Sequence, residues 1–331
     1  MGGFLVVGGA GYIGCHVVRV LLEKGFEVTV LDNLSTGHQE ALSEVEFVHG
    51  DLGDRPLLSR IFSTKKIDCV MHFAAFSLVG ESMEAPLKYY ENNTAKTIKL
   101  LRAMNENGID KFILSSTAAV YGEPKRVPIG ETDATRPTNP YGRSKLFIEE
   151  VLKDCDDSHG LRSVSLRYFN AAGAHDRGDI GEDHSPETHL IPLVLQAALG
   201  QRGHIEIYGT DWNTPDGTCI RDYIHVLDLA EAHILAAQRL MDGGESDVYN
   251  LGCESGYSVK EVIHIARGVT GHPIPAREAE RRLGDPAKLV SSSEKIKSEL
   301  GWKPRYDDLE KIVAMAWNWH KSHPRGYADK G

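Results

Sequence analysis

The sequence predicts an α/β protein built on a doubly wound parallel sheet, with a smaller lobe interleaved into its C-terminal part. Short apolar segments alternate with amphipathic helical segments through the first half of the chain. This alternation is typical of parallel sheets with helices on both faces. A glycine-rich turn follows the first apolar segment, and a polar stretch at 173–187 interrupts the alternation. We therefore expect a sheet domain at 1–172, which also takes elements from about 222–252, and a second lobe at 173–221 and 253–331.

Size and composition restrict the classes of function. With 331 residues, of which 41% are hydrophobic and 25% charged, the chain is large enough for a globular domain and an added lobe. The net charge of −10 argues against a nucleic-acid partner, and no apolar run approaches the roughly 18 residues of a membrane span. The five scattered cysteines and 15 histidines match no common metal motif. We expect reduced thiols, no metal, no signal peptide and a cytoplasmic location.

The first predicted strand, Phe4–Val7, leads into the turn Gly8-Gly-Ala-Gly11-Tyr-Ile-Gly14 and then into a helix. Glycines let the backbone approach a pyrophosphate, which binds at the N-terminus of such a helix. A tight structural turn is the alternative, since the spacing is G-x-x-G-x-x-G. The next strand ends in Asp32, 18 residues after Gly14, where an acid bonds the ribose 2′-hydroxyl and repels a 2′-phosphate. The complete strand–helix–strand order predicts a dinucleotide site that favours NAD over NADP.

The later segments continue the same pattern. Further strands are predicted at 45–48, 68–73, 111–117, 163–169 and 248–251, and helices at 87–107, from 141, and at 190–199, 227–241, 259–270, 293–300 and 309–322. Asp51 follows the third strand, and three hydroxyl side chains, Ser115-Ser116-Thr117, end the fifth. Because the carboxyl ends of parallel strands border the ligand site, these are candidate contacts. Capping and turn formation are the common alternatives.

The helix that starts after Asn139-Pro140 carries a candidate proton-transfer pair. Asparagine can cap a helix and proline suits its first turn, and Tyr141 and Lys145 then lie on one face. A neighbouring cation favours the phenolate, and lowering the tyrosine pKa from about 10 to about 7 takes roughly 4 kcal/mol. Since Tyr121 and Lys125 have the same spacing, the spacing alone does not define a site.

Together, these motifs make the chain similar to the extended short-chain dehydrogenase/reductase family. Within that family the chain resembles the UDP-hexose 4-epimerases. The motifs that carry this resemblance are Leu31-Asp-Asn-Leu-Ser, Val79-Gly-Glu-Ser, Arg167-Tyr-Phe-Asn-Ala-Ala-Gly-Ala, Arg221-Asp-Tyr-Ile-His-Val and Tyr249-Asn-Leu-Gly. The resemblance implies a Rossmann-type fold, bound NAD, a homodimer and a role in galactose metabolism. It also implies reversible epimerisation at C4 of a UDP-hexose, UDP-galactose or UDP-glucose, through a 4-keto intermediate with no net redox change.

The resemblance also implies roles for particular residues. Tyr141 would take the proton of the sugar O4, Lys145 would lower the tyrosine pKa and Thr117 would hold O4. The cofactor would contact, besides these three, Gly8, Gly11, Tyr12, Ile13, Gly14, Asp32, Asn33, Leu34, Ser35, Thr36, Gly37, Asp51, Leu52, Phe73, Ala74, Ala75, Ser77, Asn92 and Phe169. The substrate would contact, besides Thr117 and Tyr141, Asn170, His189, Leu190, Tyr208, Arg221, Arg282, Asp285 and Leu289.

Some of these substrate contacts have chemical support and an ordinary alternative. Guanidinium groups such as Arg221 and Arg282 bind diphosphate oxygens bidentately, although either could equally be a surface arginine. Tyr208 could stack on uracil or belong to the core.

Four positions depart from the family pattern. Thr117 stands where many relatives have Ser, and the hydroxyl is kept. Ser77 replaces a Lys that some relatives use for a cofactor contact, and His189 replaces an Asn that often contacts the substrate. Leu289 replaces a bulky Tyr that restricts some members to unmodified hexoses. A smaller side chain there would leave room near C2 of the sugar, so UDP-GlcNAc and UDP-GalNAc become candidate substrates.

Related activities remain as alternatives. The dehydratases of the family carry Asp-Glu directly after the Thr, whereas this chain has Ala118 and Ala119, whose methyl groups can neither donate nor accept a proton. Epimerisation or decarboxylation of UDP-glucuronate, a net dehydrogenase and a non-catalytic NAD sensor are further possibilities. The complete set of Thr117, Tyr141 and Lys145 argues against the sensor.

Overall fold

The computed structural model describes residues 2–282 and 285–330. Positions 1, 283–284 and 331, which the predicted domain ranges include, lie outside the described residues. The strands are β1 (Gly3–Val7), β2 (Glu27–Asp32), β3 (Glu46–His49), β4 (Cys69–His72), β5 (Lys111–Ser115), β6 (Arg162–Tyr168), β7 (Asn170–Ala172), β8 (Ile205–Tyr208), β9 (Ile220–Arg221), β10 (Tyr223–His225), β11 (Asp247–Leu251), β12 (Tyr257–Ser258), β13 (Ala276–Ala279) and β14 (Lys288–Leu289). The helices are α1 (Tyr12–Glu23), α2 (Arg55–Thr64), α3 (Val79–Glu84), α4 (Pro86–Tyr89), α5 (Lys96–Glu106), α6 (Pro140–His159), α7 (Leu190–Ala198), α8 (Val226–Met241), α9 (Val259–Thr270), α10 (Glu294–Leu300) and α11 (Leu309–Ser322).

A seven-stranded parallel sheet with helices on both faces forms the centre of the molecule, in the order β11-β6-β5-β4-β1-β2-β3. The predicted doubly wound fold class is therefore confirmed. The strand β11, at one edge of the sheet, comes from the chain beyond residue 245, so the second half of the sequence returns to the sheet. The order reverses between β1 and β4, and the crevice at this point is where open α/β sheets bind ligands.

Each face of the sheet buries its own hydrophobic core. On β1, Phe4 and Val6 pack into the cluster that contains α1 and α8, whereas Leu5 and Val7 pack into the cluster that contains α2, α5 and α6. All four side chains are essentially inaccessible. Burying both faces explains why the strand is a continuous apolar run, and each such side chain contributes about 1.5–3 kcal/mol.

The rest of the chain forms a third core from α7, α9 and α11, with Ile191, Val262 and Trp317 among its members. Short strand pairs, β8 with β13, β7 with β10 and β9 with both β12 and β14, surround this core. Residues 173–189, which include the predicted polar stretch at 173–187, contain neither helix nor strand. None of the helices in the described ranges is both long enough and apolar enough to cross a membrane.

The helix predicted at 87–107 is present, because α4, a π-helical turn at Tyr90–Ala95 and α5 follow one another without a break. Helix α3, which precedes it, and the π-helical turn within it were not predicted. The turn places Asn93 in a buried position, where its amide accepts a hydrogen bond from Phe76 N and donates one to Phe76 O, both 2.9 Å long. The wider turn thus ties the helix to the segment after β4, and hydrophobic periodicity does not reveal such a contact. Helix α2 and the strands of two to four residues outside the central sheet were not predicted either.

Candidate active site

The glycine turn is closely packed at Gly14 but has free space beside Gly11. A Cβ on Gly14 would lie 2.2 Å from Gly8 O, so that position needs glycine for close packing. At Gly11 an added Cβ would meet, among the described atoms, only Gly8 O, at 3.5 Å. The protein's own packing therefore does not explain this glycine, whereas a group bound against the N-terminus of α1 does. The turn has the shape that a dinucleotide diphosphate requires.

Asp32, at the end of β2, is buried and orders the adjoining loops. Its Oδ2 accepts a hydrogen bond from Ala10 N (2.9 Å) and its Oδ1 accepts one from Leu34 N (2.8 Å). A carboxylate has about four acceptor sites, so acceptor capacity remains for ribose hydroxyls. Nearby, Asn33 donates to Asp51 (3.1 Å), which also accepts from Lys96 Nζ at 2.7 Å. Although burial opposes it, this hydrogen bond from Lys96 helps to hold the pKa of Asp51 below its usual value.

Eleven predicted cofactor residues line a single pocket beside this loop: Gly8, Gly11, Asp32, Asn33, Ser35, Thr36, Leu52, Phe73, Ala74, Ala75 and Asn92. The pocket lies at the carboxyl ends of β1, β2 and β4, where the switch-point rule places a dinucleotide. Tyr12 adjoins it through α1, and its hydroxyl donates to Gly173 O at 2.7 Å. Ser77 is exposed in the loop between β4 and α3. Ile13 packs against the core on the α1 face.

Helix α6 begins as the sequence predicts and brings Tyr141 to Thr117. Asn139 caps the helix by accepting a hydrogen bond from Gly142 N at 2.8 Å. A Cβ on Gly142 would lie 2.6 Å from Ala119 O, so glycine lets the helix approach the turn that follows β5 closely. As a result the Tyr141 phenol lies near the Thr117 hydroxyl. Burial raises the pKa of Tyr141, and the Thr117 contact lowers it in part.

Lys145 lies one helical turn further on and is almost completely buried, with 3% of its surface exposed. Its ammonium donates to Ser115 O at 2.8 Å. Burial lowers the pKa of Lys145 to about 8, although the nearby Glu149 opposes this shift. Lys145 therefore stays largely cationic at neutral pH, while its hydrogen bond goes to the strand rather than to Tyr141.

A buried polar network behind these residues was not predicted. Glu149, on the same face of α6, pairs with Arg167 of β6, and both side chains are less than a tenth exposed. Ser116 donates to Glu149 at 2.5 Å, and Arg167 donates to Tyr121 at 2.8 Å. Every polar group of this network has a partner, as buried charges require. The network fixes α6 against β5 and β6, and so fixes the helix that carries Tyr141.

Tyr168 is a second tyrosine at this site that the sequence did not single out. Its hydroxyl is 2.5 Å from Ser115 Oγ, and burial together with the neighbouring Tyr141 raises its pKa. It ends β6 next to Phe169, and the position at a strand's carboxyl end was the available signal. Phe169 packs with the cluster of Ala118, Val120, Tyr121 and Ile129.

The predicted substrate residues form two groups. In one, Arg221 lies beside Leu289 in the paired strands β9 and β14, and its guanidinium is 3.6 Å from Asp285. Leu289 also packs against the cluster beside Thr117. Asn170 donates to Asp222 O at 2.9 Å and so joins this group. Asp222, which the sequence analysis missed, accepts from three backbone amides, those of Cys253, Glu254 and Ser291.

The second group lies in the lobe. Arg282 stacks on the ring of Tyr208, 3.9 Å from its centroid. His189 and Leu190 lie at the start of α7, but His189 Nδ1 lies 2.9 Å from Glu182 and 3.0 Å from Glu187. Although burial opposes it, these carboxylates raise the pKa of His189 to about 10. The His189 side chain is thus engaged with the protein through one ring nitrogen.

The sheet topology, the glycine turn, Asp32 and a half-buried tyrosine with a buried lysine one turn later together define a dinucleotide-binding α/β enzyme of the short-chain dehydrogenase/reductase kind. Comparison with known proteins gives the family more closely.

The model of the NAD dependent epimerase/dehydratase family matches residues 4–252. The UDP-glucose 4-epimerase of Halalkalibacterium halodurans is 60% identical over 324 residues, which cover 98% of this chain and 97% of that protein. A crystal structure of a UDP-glucose 4-epimerase has a TM-score of 0.96 at 56% identity, with 98% of this chain and 99% of that chain covered. The Brucella ovis UDP-glucose 4-epimerase, solved in complex with NAD, has a TM-score of 0.94 at 46% identity and coverages of 96% and 98%. The chain belongs to the NAD dependent epimerase/dehydratase family and, within it, to the UDP-glucose 4-epimerases.

Proposed function

We propose that the protein interconverts UDP-galactose and UDP-glucose by epimerisation at C4, with NAD as a resident cofactor. The observation that carries this proposal is the half-buried phenol of Tyr141, which lies near the Thr117 hydroxyl and is followed one turn later by buried Lys145. A hydroxyl, a phenol and an ammonium are the groups that a reversible alcohol oxidation needs. The similarity to UDP-glucose 4-epimerases supports the substrate class.

In the proposed mechanism, the residues of this chain handle the proton. Bound NAD supplies a reversible two-electron acceptor for C4 of the sugar. Tyr141 Oη removes the proton from the sugar O4 as C4 becomes a ketone, and returns it to O4 after the 4-keto sugar has presented its other face. Thr117 donates a hydrogen bond that stabilises the phenolate, and cationic Lys145 on the same helix face favours it further. Since burial alone raises the pKa of Tyr141, this positive environment is required.

The remaining predicted residues have proposed binding roles. The pocket residues, with Asp32 at the adenosine ribose, would hold NAD. Arg221 and Arg282 would bind the diphosphate, and Tyr208, which already stacks on Arg282, would contact the uracil. Asn170, His189, Leu190, Asp285 and Leu289 would complete the sugar and nucleotide contacts. These assignments follow the family motifs and the two groups of residues described above.

The structure favours epimerisation over dehydration. Ala118 and Ala119, which occupy the positions of the acid and base in dehydratases of the family, are methyl side chains in the turn beside Thr117. Removing water needs a proton donor and acceptor that these side chains lack. UDP-glucuronate conversion and net oxidation remain testable alternatives.

A substrate panel without added NAD tests the proposal. Purified protein is incubated separately with UDP-galactose, UDP-glucose, UDP-GlcNAc, UDP-GalNAc and UDP-glucuronate, and the products are separated. We expect UDP-galactose and UDP-glucose to reach the same product ratio from either side, without growth of 340 nm absorbance. Stoichiometric NADH would instead indicate a dehydrogenase, and conversion of UDP-glucuronate alone would indicate the alternative substrate.

We also propose that the protein is a cytoplasmic homodimer. Exposed large apolar side chains support the dimer: Val79 and Met83 of α3, Leu87 of α4, Ile98 of α5 and Phe147 of α6. A row of such side chains on neighbouring helices is typical of an association surface. Light scattering of the Met83→Glu, Leu87→Glu double variant should give a monomer, whereas Val127→Glu, at an exposed apolar residue on another segment, should stay dimeric. A monomeric unaltered protein would refute the proposal.

A further inference from the structure

Four potential metal ligands meet in the segment between β7 and α7. Glu182, His184, Glu187 and His189 each offer one atom, and these atoms lie within 4.8 Å of one another. The order Glu-x-His-x-x-Glu-x-His matches none of the common motifs, so the sequence alone does not predict a metal site here. The cluster is distinct from the residues proposed for proton transfer.

The ring nitrogens and carboxylate oxygens of the cluster lie close together. His184 Nδ1 lies 3.2 Å from Glu182 Oε1 and 3.6 Å from Glu187 Oε2. His189 Nδ1 lies 2.9 Å from Glu182 Oε1 and 3.0 Å from Glu187 Oε1. In a tetrahedral zinc site with bonds near 2.1 Å, neighbouring ligand atoms are about 3.4 Å apart. Small movements of the side chains would bring all four to bonding distance of one ion.

The orientation of His184 favours a shared central ion over a pairwise contact. Its Nδ1 is buried and makes no hydrogen bond of acceptable geometry with any described residue, although two carboxylate oxygens are near it. A buried ring nitrogen that lies near two carboxylates without a hydrogen-bond partner is free to bind a metal ion. The imidazole is held from behind by its edge-to-face contact with Tyr12, at 6.2 Å between ring centroids.

Charge and supporting contacts agree with a divalent ion. The side chains of Glu182 and Glu187 are each only 5% exposed, and two buried carboxylates need compensating positive charge. A divalent ion held by two neutral imidazoles supplies that charge. The backbone amides of Thr188 and His189 both donate to Glu187 Oε1 at 2.7 Å. Trp319 donates to the carbonyl oxygen of Glu182 at 3.2 Å. Such contacts orient metal ligands.

We infer that Glu182, His184, Glu187 and His189 form a closed four-ligand site for a divalent transition metal, with Zn²⁺ as the best match. Two imidazoles with two carboxylates suit zinc better than Mg²⁺ or Ca²⁺, which prefer oxygen ligands. Four protein ligands leave no open position, so the role is structural. The ion fixes the irregular segment 173–189 between Tyr12 of α1 and the start of α7, where Leu190 lies.

Metal analysis of protein purified without a polyhistidine tag tests this inference. Native mass spectrometry of the folded protein, purified from cells grown with added zinc, should find about one zinc ion per chain. His184→Asn and Glu187→Gln should each lower the metal content at least about tenfold. Asp183→Asn is the matched control, because that carboxylate lies between two ligands in sequence but accepts from Tyr327 N (2.9 Å) instead. This variant should keep its zinc.

A second measurement does not depend on the variants folding. Removing the metal from the unaltered protein with a chelator should lower its melting temperature, and returning Zn²⁺ should restore it. The KM for the UDP-sugar should rise more than kcat falls; this last readout rests on the proposed function, whereas metal content does not. Less than about a tenth of an equivalent of metal, with no effect of added Zn²⁺, Mn²⁺ or Co²⁺ on melting, would overturn the inference. The cluster would then consist of protonated imidazoles paired with carboxylates. Equal zinc content in His184→Asn would assign the metal to another place.

Discussion

The two sides of the proposed reaction centre are built differently. The proton-transfer side stands on the 20-residue helix α6 and the long strands β5 and β6, with the buried Glu149–Arg167 pair behind it. The sugar side stands on β9 and β14, strands of two residues each, which Asp222 helps to hold together through backbone amides. Breaking a buried ion pair costs about 3–5 kcal/mol, whereas a change in a short edge strand disturbs few contacts. We therefore expect the core of the fold to fix the chemistry, and the short strands, which one side chain can alter, to set the range of sugars.

The proton-transfer side can be broken most completely at Tyr141. Tyr141→Phe removes only the hydroxyl, so we expect kcat to fall about 10³-fold or more, because no other group lies in the same position to exchange the O4 proton. NAD released on denaturation should remain at the wild-type amount, since the pocket residues are unchanged. Activity within about tenfold of wild type would mean that another residue, with Tyr168 the nearest candidate, transfers the proton.

Lys145 should show that the proton-transfer side contains a group that lowers folding stability but is needed for the chemistry. We expect Lys145→Met to lower kcat about 10²-fold, because the phenolate loses its cation. Burial depresses the lysine pKa from 10.5 to about 8, so the unfolded chain binds more protons between these pH values. The stability of the wild type should therefore rise as pH increases from about 8 to about 10.5, by up to about 3 kcal/mol.

Denaturant unfolding at several pH values measures this effect. Lys145→Met should lack the rise. At pH 7 the variant should be at least as stable as the wild type, because removal of the buried ammonium outweighs the roughly 1 kcal/mol lost with the hydrogen bond to Ser115 O. If the variant is much less stable than the wild type at pH 7, the buried amine of Lys145 does not destabilise the protein. Lys111→Met, at a half-buried lysine at the other end of β5, is the control and should show the wild-type pH dependence.

The sequence predicted some elements of the proposed reaction centre and missed others. Strands β1 and β2, the turn between β1 and α1 and the start of α6 follow from local signals: apolar runs, glycines, and the Asn139-Pro140 cap. Asn93, Glu149 and Asp222 could not be identified, because each is defined by partners 17 to 69 residues away. Strands of two residues carry no periodicity at all. The proposed metal ligands occupy a segment without regular structure, so only the folded chain brings them together.

Thr117 tests how much of the tyrosine's acidity depends on one hydroxyl. Thr117→Val keeps the shape but removes the hydroxyl that we propose donates to the Tyr141 phenolate. A hydrogen bond to a charged group contributes about 1.5–3 kcal/mol, or roughly 10- to 100-fold in kcat. Thr117→Ser should stay close to wild type because the hydroxyl is kept. The pH profile of kcat separates the roles: in Thr117→Val the acidic limb should move to higher pH. An unmoved limb would mean that Thr117 only positions the substrate.

Replacing Leu289 should have the smallest effect of these changes, and it tests the sugar side alone. Its side chain is half-buried between Arg221 and the cluster that adjoins Thr117, so a larger ring there would narrow the space near the sugar. We expect UDP-GlcNAc turnover within about tenfold of UDP-glucose turnover in the wild type, and a further loss of roughly tenfold for the N-acetylated sugar in Leu289→Tyr. UDP-glucose turnover should change little, with Leu289→Met as the control of similar volume. If the wild type has no detectable activity with UDP-GlcNAc, the size of residue 289 does not by itself set the range of sugars. If Leu289→Tyr slows both sugars equally, the short strands are coupled to the proton-transfer side, and the division between the two sides fails.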